Sequence, residues 1–306
     1  MIRDDRPPLS LFPVLRGEGG GEGRTARRAG YCSRSNDAPS TESNVTQPPA
    51  HLAPLPSPLP RSTVGEGGSG ATLNRVKRRR SVFADRLLDF RDFTFSDGAE
   101  FLRRGAWREF FASRIGGAFD GRVIFEIGCN DGALLGRVAA RYPTTAFIGI
   151  DWKCRALHTA AERVAGAGLS NVALLHGRAQ DIPRFFAGGE LDEIWLFHPD
   201  PCDKPNELRY RLFAELFLLD AHGVLRDGGS LVLKTDHPDY YQAALEVSGA
   251  VADQFNVPVA SSDFWNDEGA QRATANRCFA TESTFFETRY RKKRQPIHYL
   301  ELTKHV

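Results

Sequence analysis

This 306-residue chain lacks the features that would commit it to a membrane, an oxidising compartment or a metal. Its five cysteines, Cys32, Cys129, Cys154, Cys202 and Cys278, are odd in number, widely spaced and free of any C-x-x-C pair, so neither a disulfide framework nor a zinc site is indicated. His158, His176, His222, His237 and His298 show no metal-ligand spacing, and no metal is expected. The opening Met1-Ile2-Arg3-Asp4-Asp5-Arg6 leads into no apolar signal core, and no stretch approaches the ~18 uninterrupted apolar residues of a membrane span. The expectation is a cytoplasmic protein without membrane contact. Neither sign of charge dominates, with 40 Lys and Arg against 38 Asp and Glu, and a net +2 does not by itself announce a polyanionic partner. There is no internal repeat, and nothing sets an oligomeric state.

What is present is unevenly spread. Through about residue 80 the chain is crowded with Gly, Pro, Ser and Arg, as in Gly17-Glu18-Gly19-Gly20-Gly21 and Pro54-Leu55-Pro56-Ser57-Pro58-Leu59-Pro60. Such a segment cannot bury enough apolar surface to offset the entropy of ordering it. Residues 1–80 are therefore expected to form a disordered low-complexity tail, and residues 81–306 one folded domain. Basic residues gather in Arg75-Val76-Lys77-Arg78-Arg79-Arg80 and in Arg289-Tyr290-Arg291-Lys292-Lys293-Arg294, each either a solvated face or a patch that contacts phosphates.

From about residue 120, short β-rich runs alternate with helical patterns, the signature of βα units and a doubly wound, mostly parallel α/β sheet. Strands are expected at 123–127, 146–150, 171–176, 191–197 and 230–235, with two more β-type segments near 255–260 and 297–302, making seven. Helices are expected near 133–141, 155–167, 207–221 and 239–247, with 226–229 as a turn. Phe83, Leu87, Leu88, Phe90, Phe93, Phe101, Trp107, Phe110 and Phe111 read as the apolar side of helices packed on the sheet.

Two stretches carry chemistry. Phe197-His198-Pro199-Asp200-Pro201-Cys202-Asp203-Lys204 sets one carboxylate between two prolines at the carboxyl end of a buried strand, where ligands of parallel sheets bind. Proline restricts both itself and the residue before it, so Asp200 is held in a stiff loop, either as a catalytic carboxylate or as a solvated turn. Glu126-Ile127-Gly128-Cys129-Asn130-Asp131-Gly132 is a turn whose glycines permit close backbone approach to a ligand, and Asn130 is the non-glycine type most tolerant of positive φ. Its glycine spacing is not the dinucleotide fingerprint G-x-G-x-x-G. Asp151, ending the next strand, sits where an acid can accept both hydroxyls of a ribose, which a nicotinamide enzyme would also require.

The ordered set of acidic strand, G-x-x-x-G turn, acid ending strand two and Asp-Pro loop after strand four resembles the class I, Rossmann-like methyltransferases that use S-adenosyl-L-methionine. Carboxylates at Glu126 and Asp131 suit the positive charges of a sulfonium and an α-amino group. Within that class the chain resembles the bacterial tRNA (guanine-N7-)-methyltransferases. The resemblance rests on Glu126-Ile127-Gly128, Phe147-Ile148-Gly149-Ile150-Asp151, Leu169-Ser170-Asn171-Val172, Pro199-Asp200-Pro201 with Lys204, Thr235-Asp236 and Thr284-Phe285-Phe286-Glu287.

It implies tRNA as partner, with Glu126, Gly128, Asp131, Asp151 and Asp200 at the cofactor and Asp200 as the catalytic carboxylate. Lys204, Asp236, Thr284 and Glu287 are implied as contacts to the target nucleoside. The chain departs from the family pattern at Cys202, where a Trp is usual, and in Pro205-Asn206-Glu207-Leu208-Arg209-Tyr210-Arg211, where only Arg209 and Arg211 keep the basic character. A third departure is Arg178, which stands where an acid is usual, with Asp181 following. Two alternatives keep the fold: methyl transfer to another RNA or a small molecule, and a non-catalytic module that binds RNA or protein.

Overall fold

The computed structural model describes residues 81–306 apart from residue 97. The expected disordered tail, with the Arg75 to Arg80 cluster, lies outside the described residues. Eight strands are present among the described residues: β1 (Thr94–Phe95), β2 (Val123–Ile127), β3 (Ala146–Asp151), β4 (Val172–His176), β5 (Leu191–Phe197), β6 (Leu225–Thr235), β7 (Phe255–Ser261) and β8 (His298–Lys304). The helices are α1 (Val82–Arg86), α2 (Trp107–Ile115), α3 (Ala133–Arg141), α4 (Cys154–Gly166), α5 (Ile182–Phe185), α6 (Glu215–Val224), α7 (Pro238–Ala250), α8 (Glu268–Ala273) and α9 (Phe285–Lys292).

All eight strands join one sheet in the order β1-β4-β3-β2-β5-β6-β8-β7. β8 alone runs against its neighbours, antiparallel to both β6 and β7, and the rest of the ladder is parallel. The expected count of seven is corrected to eight by Thr94–Phe95, which pairs with Leu174 and Leu175 at the sheet edge and is too short to show a period in the sequence. The chain runs outward from β2 through β3 to β4, then crosses back to lay β5 on the other side of β2. That switch point is where a doubly wound sheet opens a crevice at the carboxyl ends of its strands.

Strand alternation sends side chains to two buried layers. Val123, Phe125 and Ile127 face the layer built by Trp107, Phe110 and Phe111 of α2, Phe185 of α5, Leu218 of α6 and Ala244 of α7. Ile124 faces the opposite layer, with Leu135 and Val138 of α3 and Leu157 and Val164 of α4. Of the aromatic set expected to pack on the sheet, Phe93, Trp107, Phe110 and Phe111 are buried, while Leu88 is 48% exposed.

Acids inside buried strands must find partners. Asp192 accepts from Arg108, Arg226 and the Val123 N–H, and Glu193 pairs with Arg122 and Arg277. Arg277 also pairs with Glu301 of β8.

Two expectations shift. The helix expected over 207–221 is instead one 3-10 turn, Leu208–Tyr210, followed by α6 from Glu215. The reason is tertiary competition: the Phe213 N–H is taken by the Tyr240 hydroxyl, and the Arg211 side chain is drawn to the Pro201 carbonyl. The turn expected at 226–229 lies inside β6. There the partner register advances from Leu191 opposite Leu225 to Glu193 opposite Ser230, so the extra residues form a bulge.

Candidate active site

Glu126 belongs to the Ile124 face of β2 by alternation and is only 5% exposed. Its Oε2 is buried without a hydrogen-bond partner. Burial pushes the carboxyl up to about 8, against the pull of Arg137 and with a smaller push from Asp131. The turn that follows has Gly128 at φ +75° and Asn130 at φ +50°, so the expected positive φ at Asn130 is present. A Cβ at Gly128 would meet nothing within 4 Å, leaving the backbone open to a ligand. At Gly132 a Cβ would stand 2.8 Å from Ala160 Cβ, so glycine is needed there for α3 to close on α4.

Asp151 braces this turn from the end of β3: its carboxylate accepts the Asn130 N–H at 3.1 Å and the Lys153 N–H at 2.8 Å. Asp131, in the same turn, has partners of its own. One oxygen accepts the Ala133 N–H and the other pairs with Arg163 of α4 at 3.2 Å, so its charge is already matched within the protein. Glu126, not Asp131, is the carboxylate without a partner.

On the other side of the crevice, β5 runs into the Pro199-Asp200-Pro201 loop. The loop is framed by two non-glycine residues at positive φ, His198 at +51° and Cys202 at +45°. Asp200 is exposed, and its Oδ1 accepts the Cys202 N–H at 3.2 Å. The loop is tied down twice, by the His198 N–H to the Lys234 carbonyl and by Arg211 to the Pro201 carbonyl at 2.9 Å. Arg211 thus braces the loop from below, while Arg209 stacks on exposed Tyr210. Lys204 is exposed and paired with Glu207 at 3.0 Å. Arg178 is exposed at the surface, and Asp181 pairs with Arg184 at 3.1 Å.

Asp236, just beyond β6, accepts from His198 Nδ1 at 3.0 Å. Burial alone would raise the Asp236 carboxyl, but hydrogen bonds from His198, its own backbone and Tyr290 outweigh it and hold the group below the ordinary aspartate value. Asp200 and Asp236 follow different strands, β5 and β6, and His198 joins their two loops.

Thr284 and Glu287 build the start of a helix. Thr284 Oγ1 accepts the Glu287 N–H and Glu287 Oε2 accepts the Thr284 N–H, a reciprocal capping box that starts α9. Glu287 is fully buried, and its Oε1 accepts from Lys234 Nζ at 3.0 Å and Trp265 Nε1 at 2.8 Å. Both Glu287 oxygens are thus engaged within the protein.

The sequence reading passed over Lys234. It is 1% exposed, and its ammonium lies 4.7 Å from the Phe264 ring, 5.1 Å from Phe279 and 5.4 Å from both Phe197 and Trp265. Burial lowers its pKa and Glu287 opposes that shift. A lysine near the end of an otherwise apolar strand was the signal available. His198, beside Pro199, reads from the sequence as either catalytic or a hydrogen-bonded structural histidine, and it bonds Asp236; Tyr290 and Trp265 carry no comparable signal, because their partners lie tens of residues away. The segment before α9 is fastened to α3, with Arg137 on Glu282 and on the Ser283 carbonyl and Arg141 on Thr281.

An adenosyl sulfonium cofactor with a free α-amino group fits this crevice. Glu126 offers an unpartnered carboxylate oxygen, Gly128 an open backbone, and Asp151 an acid at the neighbouring strand end. Among the described residues no cluster of His, Cys, Asp and Glu could hold a metal, and no helix is long and apolar enough to cross a membrane.

Comparison with known proteins places the fold in context. A family described as "Putative methyltransferase" matches residues 120–300. A tRNA (guanine-N(7)-)-methyltransferase of Porphyromonas gingivalis is 37% identical over 153 residues, 49% of this chain and 59% of that protein. One of the same name from Lactococcus lactis subsp. cremoris is 28% identical over 227 residues, 74% of this chain and 96% of that protein. A bifunctional glycosyltransferase/methyltransferase of Fusobacterium nucleatum is 26% identical over 234 residues, 75% of this chain and 34% of that protein. Among the first curated relatives it matches, the chain spans between 34% and 63% of their length. The matched span takes in the Glu126 turn, the Pro-Asp-Pro loop and α9, and the chain belongs to this methyltransferase family, as a divergent relative of the tRNA (guanine-N(7)-)-methyltransferases.

Proposed function

We propose that the protein transfers the methyl group of S-adenosyl-L-methionine to N7 of a guanine in tRNA. The observation that carries this reading is the exposed Asp200 carboxylate, held in a braced loop after β5, the strand that pairs with the one bearing the unpartnered Glu126. Bound there, the cofactor supplies an electrophilic methyl carbon on a cationic sulfur. The guanine N7 lone pair would form the new N–C bond with that methyl carbon as the C–S bond breaks, and the pair of the broken C–S bond would remain on sulfur. N7 carries no proton, so no general base is required and positioning dominates.

Glu126 holds the α-amino group and Asp151 the ribose, with Gly128 allowing close approach. Asp200 and the ionised Asp236 favour the positive charge that develops on the 7-methylguanine ring. Thr284 and Glu287 act through α9 as positioning residues. Because a tRNA base is normally stacked or paired, the target nucleotide must be drawn outward. Action on tRNA agrees with a cytoplasmic enzyme that needs no metal.

A second reading, methyl transfer to another RNA or a small molecule, is favoured by one feature. The Lys204 ammonium is matched by Glu207 rather than free for a phosphate.

Transfer of labelled methyl groups to unmodified total tRNA, with nucleoside analysis, tests the first reading. Native protein is expected to yield 7-methylguanosine, and Asp200→Ala to lower the rate by ~10²–10³. Cofactor binding without labelled tRNA would move the substrate to the second reading.

A further inference from the structure

The outer side chains of the Thr-x-x-Glu box are engaged in capping α9, so the residues that meet solvent there are the inner pair, Phe285 at 72% exposure and Phe286 at 41%. Helical spacing sets Phe285 in line with Arg289 and Phe286 in line with Tyr290. The Phe286 and Tyr290 rings stack with centroids 6.4 Å apart at 21°, and the His198 ring lies 6.2 Å and 5.9 Å from them. Beneath this face the helix is anchored to β6 by the buried Lys234–Glu287 pair, and Tyr290 is bonded to Asp236. The surface is thus rigid and adjoins the Pro-Asp-Pro loop. Its charge is of one sign: from Phe285 to Arg294 the only acid is Glu287, which is internal and matched by Lys234.

A rigid aromatic face flanked by exposed cations is the chemistry that binds an unpaired nucleotide. Rings stack on the base whatever its identity, and cations meet the phosphates on either side. We propose that this face of α9 docks RNA, with an unpaired base stacked on the exposed Phe285 ring and edged by Phe286, whose ring stands at 77° to it, and the flanking phosphates held by Arg289 and Lys292. The inference rests on the preceding reading and names the residues that present the nucleotide to it. Capping residues of the box build the helix, and its inner aromatics make the contact.

The test is equilibrium binding of full-length protein, saturated with S-adenosylhomocysteine, to an unmodified tRNA transcript across a salt series. Phe285→Ala/Phe286→Ala is expected to weaken binding by ~10- to 100-fold, the loss of a stacked base, with the salt slope unchanged. Phe285→Trp/Phe286→Trp is expected to restore it. Arg289→Ala/Lys292→Ala is expected to lower the slope of log K against log salt by about 1.4.

Both aromatic side chains are exposed, and retained thermal stabilisation by S-adenosylhomocysteine reports that the variants fold. Native affinity in the double alanine variant overturns the proposal. If that variant also makes 7-methylguanosine with an unchanged KM, the methyl-transfer reading stands while this inference falls. Aromatic-dependent RNA binding without any 7-methylguanosine sinks the methyl-transfer reading and leaves the docking surface in place. No RNA binding by the native protein overturns both.

Discussion

Glu126 and Glu287 are both buried glutamates of the site, 5% and 0% exposed, and they are treated in opposite ways. Glu126 has an oxygen with no partner at all, while Glu287 accepts from Lys234, Trp265 and the Thr284 N–H. The first arrangement is unfavourable until a ligand supplies a donor or a cation. The second is complete as it stands and contributes shape rather than contact. The cofactor half of the crevice is therefore a site built around an unmet demand, and the substrate half is a scaffold whose internal demands are met so that its outer face stays rigid.

Breaking the completed side should give the largest effect. Lys234→Met leaves Glu287 buried without its cation, and a loss of about 3–5 kcal/mol is expected in chemical denaturation. Because each partner is about 1% exposed, solvent screening does not soften this figure. Lys234→Met/Glu287→Gln should recover part of it; a single variant as stable as the native protein would remove the contrast between the two glutamates.

The unmet side is tested by pH. The Glu126 carboxyl lies at about 8 in the folded protein against an ordinary 4.5, so across that window the native state holds a proton that the unfolded chain releases. Cofactor-free stability from this group is then fully present below the lower value and falls as pH rises toward the upper one, at up to ~1.4 kcal/mol per pH unit. Melting curves of native protein and Glu126→Gln across the window should diverge, the variant being flatter. Parallel curves would show that Glu126 is already matched.

The smallest effect is expected at the cap. Thr284→Ala removes one capping acceptor, costs about 1 kcal/mol in denaturation and leaves the KM for RNA close to native. A large KM change with little loss of stability would return Thr284 to direct contact with the nucleoside.

How legible each half was follows from chain distance. The Glu126 turn, Asn130 at positive φ and Asp151 at the strand end are read from a strand, turn and helix that follow one another within thirty residues. Period-2 alternation even assigns Glu126 its face. By contrast, the Lys234–Glu287 pair spans 53 residues and the His198–Asp236 contact 38, distances at which no local pattern carries information. The edge strand Thr94–Phe95 was missed because two residues show no period, and the helix expected from Glu207 failed because Tyr240, far along the chain, takes the Phe213 N–H.

By itself, then, the sequence determined the βα alternation, the mostly parallel sheet and the cofactor turn. Hydrophobic period, turn chemistry and capping act between near neighbours and need no tertiary partner to be read. Which carboxylates remain unmet was decided only when the chain closed. Asp131 found Arg163, Glu287 found Lys234, and Glu126 found no partner for its Oε2. A buried charge is settled by whichever groups the fold brings within a few ångströms, and that outcome belongs to packing rather than to spacing.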